Sequence, residues 1–324
     1  MNNKRHSNVL DRPGSEYIII FFLSLATHGL LLISDYTIWD GWVLEHQLEY
    51  NQWNQIKEQG FSSGLPMSAY FFGAFTIFQD VNFAFKVSTF ICLVISSFLT
   101  VNILKQYRFF SRLESFLITC FSLTFPAVMV LGNSVPVFLY LFCYLLFLIG
   151  VRCAFYAENF VGRNHVIIRL IALVTFFLSF NTGSLLVFFY GFFFAFMIKE
   201  KFLRNEEWSK FLRKWLFFRI DYIILPIIYW ICRRLFTAPF GLYEDYQYPK
   251  NLLSIGPLFQ SFISFSSSII QNLLHSLNNI FEFHPIFIGV FVFISYNISG
   301  IIGLTPKRIF SQKNSSVYML VFGL

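Results

Sequence analysis

Residues 136–151 have the sequence PVFLYLFCYLLFLIGV, which contains no charged side chain. A second apolar run, YIIIFFLSLATHGLLLIS, covers residues 17–34, and His28 is its one basic side chain. Continuous runs of this length predict transmembrane helices, because in hydrocarbon a helix satisfies every backbone polar group within its own segment. The same runs argue against a membrane β-barrel, whose strands alternate apolar and polar side chains.

The composition of the whole chain supports this interpretation. Hydrophobic residues make up 56% of the 324 positions, charged residues only 13%, and phenylalanine alone occupies 46 positions. A soluble domain carries about 25% charged residues, and a disordered chain combines low hydrophobicity with high charge. We therefore expect an all-α, polytopic membrane protein that forms a single transmembrane domain over residues 1–324.

Apolar runs separated by polar segments predict about eight to nine transmembrane helices. Residues 166–198 form either one long helix or two helices hinged at 181–184, where the sequence Asn-Thr-Gly-Ser favours two. The stretch 66–79 is expected to form an interfacial helix without crossing. The stretch 252–281 is expected to stay on the outer side, as a helix at the surface or in a polar cavity, with a buried core helix as the alternative. The predicted spans are 17–34, 84–104, 115–132, 136–156, 166–181, 184–198, 218–236 and 285–304.

The distribution of basic residues gives the orientation. With a cytoplasmic N-terminus, 19 of the 24 lysines and arginines fall on the cytoplasmic side, as the positive-inside rule requires. Residues 35–83 then form a long first outer loop, and residues 237–281 form another outer loop. Residues 105–114 and 199–217 are predicted to be cytoplasmic loops. We predict a multi-pass protein of an inner or plasma membrane, with the lipid bilayer and not nucleic acid as its partner. A ninth helix begins near 317 and stops at Leu324, so we expect the chain to be truncated at its C-terminus.

Carboxylates lie directly after the first predicted span. Asp35 and Asp40 belong to the segment SDYTIWDGW at residues 34–42, and Glu45 follows in the same loop. The tryptophans of this segment would hold it at the membrane surface, where partial desolvation suits a carboxylate that accepts a proton. We predict a catalytic role for Asp40 or Asp35 and a substrate-binding role for Glu45. A solvated acidic loop with an aromatic anchor is the alternative.

Two further outer features suit phosphate and carbohydrate ligands. Arg233 and Arg234 end the span 218–236 on the outer side, and Lys86 begins the second span. Guanidinium groups bind phosphate in a bidentate manner, although snorkelling to lipid headgroups is the alternative for these arginines. Aromatic rings pack on sugar faces and carboxylates accept hydrogen bonds from hydroxyl groups, unless the loop simply rests on the interface. The residues predicted to contact carbohydrate in this way are Tyr243, Glu244 and Asp245.

Few ionisable residues lie inside the predicted spans. His28 lies in the first span, and intramembrane ionisable groups are often functional. Asp221 lies near the start of the span 218–236, close to Arg219, and we expect an ion pair there at the cytoplasmic edge. The cysteines have no metal-binding spacing and no ligand set for a metal is evident, although the sequence leaves a divalent cation open as a cofactor.

In their arrangement, residues 17–104 resemble GT-C membrane glycosyltransferases of the bacterial type. In that class a cytoplasmic N-terminus and one helix precede a long outer loop that opens with an acidic catalytic motif, and the segment 34–42 stands at the matching place. Residues 64–72, GLPMSAYFF, are similar to the HPPLYYLL-like stretch of the family, without its histidine. Residues 83–88 are similar to the segment that opens the second span, with Lys86 in place of the usual arginine.

The resemblance implies that a sugar is moved from a polyprenyl-phosphate donor to a glycan or lipid acceptor on the outer face, in the assembly of cell-surface polysaccharide. Asp40, or Asp35, would be the general base, and Arg233, Arg234 and Lys86 would stabilise the departing lipid phosphate. The sequence has no nucleotide-binding motif, in agreement with a lipid-linked donor. Two alternatives stay open: a polysaccharide polymerase or ligase acting on lipid-diphosphate oligosaccharides, and a transporter or flippase of lipid-linked sugars.

Overall fold

The protein is helical throughout the part of the chain that the computed structural model describes. That part comprises residues 14–33, 41–107, 110–124, 137–182, 185–204 and 207–244, with the single residues 264, 267 and 271. No strand occurs within these ranges, and the predicted all-α class is confirmed. The helices are α1 (Ser15–His28), α2 (Gly41–Glu49), α3 (Trp53–Ser62), α4 (Pro66–Ala74), α5 (Val81–Tyr107), α6 (Arg112–Thr124), α7 (Val137–Ala157), α8 (Arg163–Ser179), α9 (Leu185–Arg204), α10 (Trp208–Phe218) and α11 (Ile220–Phe236).

Three of these helices, α5, α7 and α8, are long and apolar enough to cross a membrane. A fourth crossing is formed if α10 and α11 count as one bent span. The chain is accordingly a membrane protein, and α5, α7 and α8 coincide with the predicted spans 84–104, 136–156 and 166–181. The described helix α1 and the apolar part of α9, Leu185–Ile198, are shorter than a full crossing.

Several predicted elements fall wholly or partly outside the described residues. Of the predicted span 115–132, helix α6 accounts for the part up to Thr124. The predicted spans at 285–304 and from 317, and nearly all of the predicted surface helix 252–281, lie outside the described residues.

A break separates α8 from α9, as the turn residues at 181–184 predict. Helix α8 ends at Ser179, one 3-10 turn covers Phe180–Thr182, and α9 begins at Leu185. The hydroxyl groups of Ser179 and Thr182 donate hydrogen bonds to backbone carbonyls three residues earlier, at 2.7 and 3.3 Å. Such local hydrogen bonds compete with the helical ladder and help to end it.

Phenylalanine fills the space between the long helices. Helix α7 packs against both α5 and α8. Gly150 of α7 permits the close approach of α8, because a Cβ atom at this position would lie 2.8 Å from the ring of Phe176. The ring of Phe176 in turn contacts those of Phe189 and Tyr222, with centroid separations of 4.9 and 6.2 Å. Close approach at a small residue and edge-to-face aromatic contacts therefore hold these helices together.

Three short helices, α2 to α4, follow the first predicted span. Helix α4 has nine residues and so rises only about 14 Å, less than half the thickness of a hydrocarbon core. Trp53 of α3 covers α4 at Gly73, where a Cβ atom would lie 1.9 Å from the indole ring. Helices α3 and α4 therefore pack with no room for a side chain at position 73.

The structure corrects the start of the predicted span 218–236. Helix α11 begins at Ile220, and a separate helix, α10, occupies much of the stretch 199–217 that the sequence suggested was a cytoplasmic loop. The two helices meet at Arg219 with a bend of 56°. Because the polar residues of α10 are basic and regularly spaced among aromatic ones, the stretch folds as an amphipathic helix and not as an irregular loop.

Candidate functional site at the end of helix α11

The segment that follows α11 folds back onto the turn between α3 and α4. The backbone N–H of Phe240 donates a hydrogen bond of 3.0 Å to the carbonyl oxygen of Ser62. Gly64 has a φ angle of +72°, and a Cβ atom there would lie 3.0 Å from the carbonyl oxygen of Thr237 and 3.1 Å from Pro239. The two segments that the sequence assigns to the outer face are therefore in direct contact.

A small cavity of about 140 Å³ lies at this junction. Tyr243 enters its lining from the segment after α11, and Tyr140 enters from the start of α7. The α3–α4 region contributes Gln59, Ser63 and Ser68 as polar lining groups. No charged side chain belongs to the lining among the residues that the structure describes, so the cavity presents hydroxyl and amide groups within an apolar wall.

Two more of the predicted site residues, Glu45 and Glu244, adjoin lining residues of the cavity in the sequence. Glu45 lies on α2, one residue after Leu44, which also lines the cavity. Glu244 is exposed and directly follows Tyr243. Asp35, Asp40 and Asp245 lie outside the described residues, so the predicted general base and one of the predicted sugar contacts stay predictions.

The predicted phosphate-binding residues occupy two different helices. Arg233 is half-buried and Arg234 is exposed, both in the last turn of α11. The carbonyl oxygen of Arg233 accepts a 3.0 Å hydrogen bond from the N–H of Thr237, which ties the arginine pair to the segment that packs on Gly64. Lys86 is buried in the second turn of α5. None of the three lines the small cavity among its described lining residues, so a shared phosphate site stays a prediction.

A charged cluster that the sequence did not predict lies at the opposite end of α11. The guanidinium group of Arg219 is 11% exposed and forms ion pairs with the carboxylates of Glu158 and Glu200. These groups help to line a cavity of about 550 Å³, together with His165, Lys214 and other residues of α8 to α10. Because each carboxylate lies at a distant chain position, only the packing of α7, α9 and α11 brings them to one guanidinium.

The expected ion pair between Asp221 and Arg219 is wrong. The carboxylate of Asp221 binds Arg169 of α8 through two hydrogen bonds of 2.6 Å, to Nε and Nη2. Arg169 also stacks over the ring of Tyr222, 5.1 Å from its centroid. This bidentate pair with Arg169 is favoured over a pair with Arg219. The guanidinium group of Arg219 pairs with Glu158 and Glu200 instead.

A second buried ion cluster joins α1 to α5 and α6. Glu16 is 3% exposed on its side chain and forms ion pairs with Lys105 and Arg112. His28, at the other end of α1, is also buried, and its Nε2 atom lies 2.9 Å from the carbonyl oxygen of Leu123. This histidine therefore holds α1 against the end of α6.

Hydroxyl groups line a cavity of about 330 Å³ between α5, α6, α7 and α9. Serine and threonine side chains of α5 and α6 form its polar wall, and aromatic residues of α7 and α9 form much of the rest. The contributing hydroxyl side chains are Ser96, Ser97, Thr100, Thr119 and Ser122.

In the described ranges, no group of three or more histidine, cysteine, aspartate or glutamate side chains is placed to hold a metal ion. Comparisons of the chain with models of protein families, with curated proteins and with solved structures give no match. The geometry of the two ends of α11 is therefore the basis for functional inference.

We expect Gly64→Ala to detach the segment after α11 from the α3–α4 turn. The substitution forces a left-handed backbone on a residue with a Cβ atom and crowds Thr237 and Pro239, so the free energy of unfolding should fall by about 2 to 3 kcal/mol. The measurement is a denaturation titration of the purified protein in detergent micelles.

Gly241→Ala is the matched control for this change. Gly241 also has a positive φ, of +64°, but no atom lies within 4 Å of its Cβ position. The Gly241→Ala variant should lose only the backbone contribution to the free energy of unfolding, about 1 to 2 kcal/mol. If both variants lose the same free energy of unfolding, the contact of Gly64 with Thr237 and Pro239 adds nothing to stability.

Proposed function

We propose that this membrane protein acts on a lipid-linked substrate at the junction between the α2–α4 region and the segment after α11. More specifically, we propose a glycosyltransferase of the GT-C type that moves a sugar from a polyprenyl-phosphate donor to a glycan or lipid acceptor. The observation that carries the proposal is the contact of Gly64 and Ser62 with residues 237–240. It joins the stretch that resembles the family motif to the chain segment that follows the arginine pair.

The proposed chemistry assigns one step to each group of predicted site residues. Asp40, with Asp35 as the alternative, takes the proton from the acceptor hydroxyl group as the new glycosidic bond forms. Arg233, Arg234 and Lys86 stabilise the lipid phosphate as the bond to the sugar breaks. Tyr243 and Glu244 contact the sugar, and the cavity at the junction supports this assignment because hydroxyl and amide groups line it beside Tyr243.

A transfer assay tests the proposal directly. The full chain is reconstituted in lipid nanodiscs and incubated with a panel of radiolabelled polyprenyl-phosphate sugars and with glycan and lipid acceptors. We expect a labelled product for at least one donor, and no product with the Asp35→Asn/Asp40→Asn double variant. Transfer that persists at the wild-type rate in the double variant would contradict the catalytic assignment.

The transporter alternative has one observation in its favour, the hydroxyl-lined cavity between α5, α6, α7 and α9. In sealed vesicles, a flippase would move a labelled lipid-linked sugar to the other leaflet without forming a new glycosidic bond. A polymerase or ligase would accept only lipid-diphosphate oligosaccharides in the transfer assay. Either result would replace the proposed donor class.

The proposal includes a topology that can be measured. We propose a multi-pass protein of eight to nine spans with a cytoplasmic N-terminus, in which residues 35–83 and 237–281 lie outside, in the inner or plasma membrane of a bacterium. In a cysteine-free background, a cysteine introduced at position 57 should react with a membrane-impermeant maleimide in intact cells, and one at position 210 should react only after lysis. Labelling of position 210 from outside would overturn the orientation.

A further inference from the structure

An open groove of about 730 Å³ lies at the bend between α10 and α11. Its apolar wall comes from the end of α10 and the first turn of α11, with Phe217 and Ile220 as examples, and its rim carries Lys210, Arg213 and Lys214. No acidic side chain belongs to its lining among the described residues. The groove therefore combines an apolar floor with a wholly cationic edge.

Helix α10 has two faces that explain the charge of this edge. Phe211 and Trp215, four residues apart, are buried on the face that packs against the protein. Trp215 contacts Phe193 of α9, with ring centroids 6.2 Å apart. Lys210 and Arg213 are exposed at a spacing of three residues, and Phe217 continues their face toward the bend with 77% of its surface exposed.

In the part of the chain that the structure describes, the ion pair at the rim is an exposed one. Lys210 pairs with Glu207 at 3.1 Å, but both side chains are more than two-thirds exposed, at 79% and 71%. An ion pair exposed to this degree contributes little and exchanges readily with another anion. The positive charge is thus available to a ligand that carries a phosphate group.

We infer that the groove between α10 and α11 binds an anionic glycerophospholipid of the surrounding bilayer. One acyl chain lies on the apolar floor near Phe217 and Ile220, and the headgroup phosphate meets Lys210 and Arg213. Charge complementarity selects an anionic headgroup, and the groove lies at the break of a bent helix pair that together is long and apolar enough to cross a membrane, which gives a lipid direct access. The inference is independent of the proposed transfer activity and of which side of the membrane α10 faces.

The test uses the purified full chain in detergent and titrates dioleoyl phosphatidylglycerol, with dioleoyl phosphatidylcholine as the neutral probe. Bound lipid is counted by native mass spectrometry. We expect phosphatidylglycerol to bind the wild-type protein at least tenfold more tightly than phosphatidylcholine does. Equal binding of the two lipids would overturn the inference.

The rim is tested with the double variant Lys210→Gln/Arg213→Gln. Each charge near a lipid surface contributes a factor of about five in affinity, so we expect a loss of about 25-fold for phosphatidylglycerol and little change for phosphatidylcholine. Lys214 is left in place because it also lines the cavity around Arg219. The charge-matched control is Lys57→Gln/Arg163→Gln, which removes two basic residues that do not line the groove.

If the control pair loses the same affinity for phosphatidylglycerol, the effect is general charge attraction, and the proposed site is contradicted. If the double variant does not fold, Lys210→Gln alone, at a largely exposed position, should still lose about fivefold. Unchanged binding in that single variant would also overturn it.

The floor of the groove is tested separately. Phe217→Ala should weaken phosphatidylglycerol binding about tenfold, because an exposed phenylalanine that a lipid chain covers contributes by burial of apolar surface. Glycerol 3-phosphate, which has the phosphate group but no acyl chain, should not displace the lipid. Full displacement by glycerol 3-phosphate, or wild-type affinity in Phe217→Ala, would show that no acyl chain occupies the groove.

Discussion

Replacement of Asp40 by asparagine is expected to reduce sugar transfer by about 10²-fold or more, while expression and donor binding stay nearly unchanged. The change keeps the size of the side chain and removes its basicity, so the acceptor hydroxyl group loses its proton acceptor. Asp40 ranks ahead of Asp35 because a glycine follows it, at Gly41, and tryptophans flank it. Glycine lets a ligand approach the backbone, and indole rings exclude water from a carboxylate. The measurement is the initial rate of transfer in nanodiscs, with donor binding determined separately.

Asp35→Asn is the matched control, five positions earlier in the same segment. If Asp35 only ends the first predicted span, its asparagine variant should transfer sugar at close to the wild-type rate. An inactive Asp35→Asn together with an active Asp40→Asn would move the role of general base to Asp35. Activity in both variants would remove this segment from the catalytic site.

Replacement of Arg219 by methionine is expected to lower the free energy of unfolding by about 3 to 5 kcal/mol, a large fraction of the stability of a domain. Arg219 and Glu200 are each 11% exposed, and a second carboxylate, that of Glu158, pairs with the same guanidinium. Methionine fills much of the space but removes the guanidinium group with which both carboxylates pair. The measurement is a denaturant titration in detergent micelles.

Two further variants separate this effect from loss of packing. Glu207→Gln removes one partner of an exposed ion pair and should change the free energy of unfolding by less than about 1 kcal/mol. Adding Glu158→Gln and Glu200→Gln to Arg219→Met removes the two carboxylate charges that Arg219 paired with and should restore much of the loss. No restoration would mean that the guanidinium acts through its packing on Phe196, 4.3 Å from that ring, and not through its charge.

The long apolar helices were predictable because nothing in their sequences competes with a membrane span. Helix α7 begins one residue after the predicted start of its span and ends one residue after the predicted end, and α5 extends three residues beyond its predicted span at each end. Helix α10 was missed because its basic residues suggest a loop when hydropathy is averaged over a long window. The spacing of Lys210, Arg213 and Phe217 along one helical face was the signal that identifies it.

The candidate sites were less predictable, since they depend on contacts between distant positions. The residues between Asp221 and its partner Arg169 include the whole of α9 and α10, and no local pattern reveals that pairing. Nothing in the sequence around Gly64 indicated that the segment 237–239 would pack against it. Three acidic residues of the predicted site lie outside the described residues, so mutagenesis has to test them.

The hydroxyl groups on α1, α5 and α6 bear on how the protein enters the bilayer. Ser24, Thr27, Ser97, Thr100, Thr119 and Ser122 each donate a hydrogen bond to the carbonyl oxygen four residues earlier in their own helix. Hydroxyl groups bonded within their own helix present fewer unpaired donors to hydrocarbon, with the buried hydroxyl group of Ser96 on α5 as an exception among the described residues. Insertion one helix at a time is then possible, and the later association of helices relies on contacts such as Gly150 against Phe176.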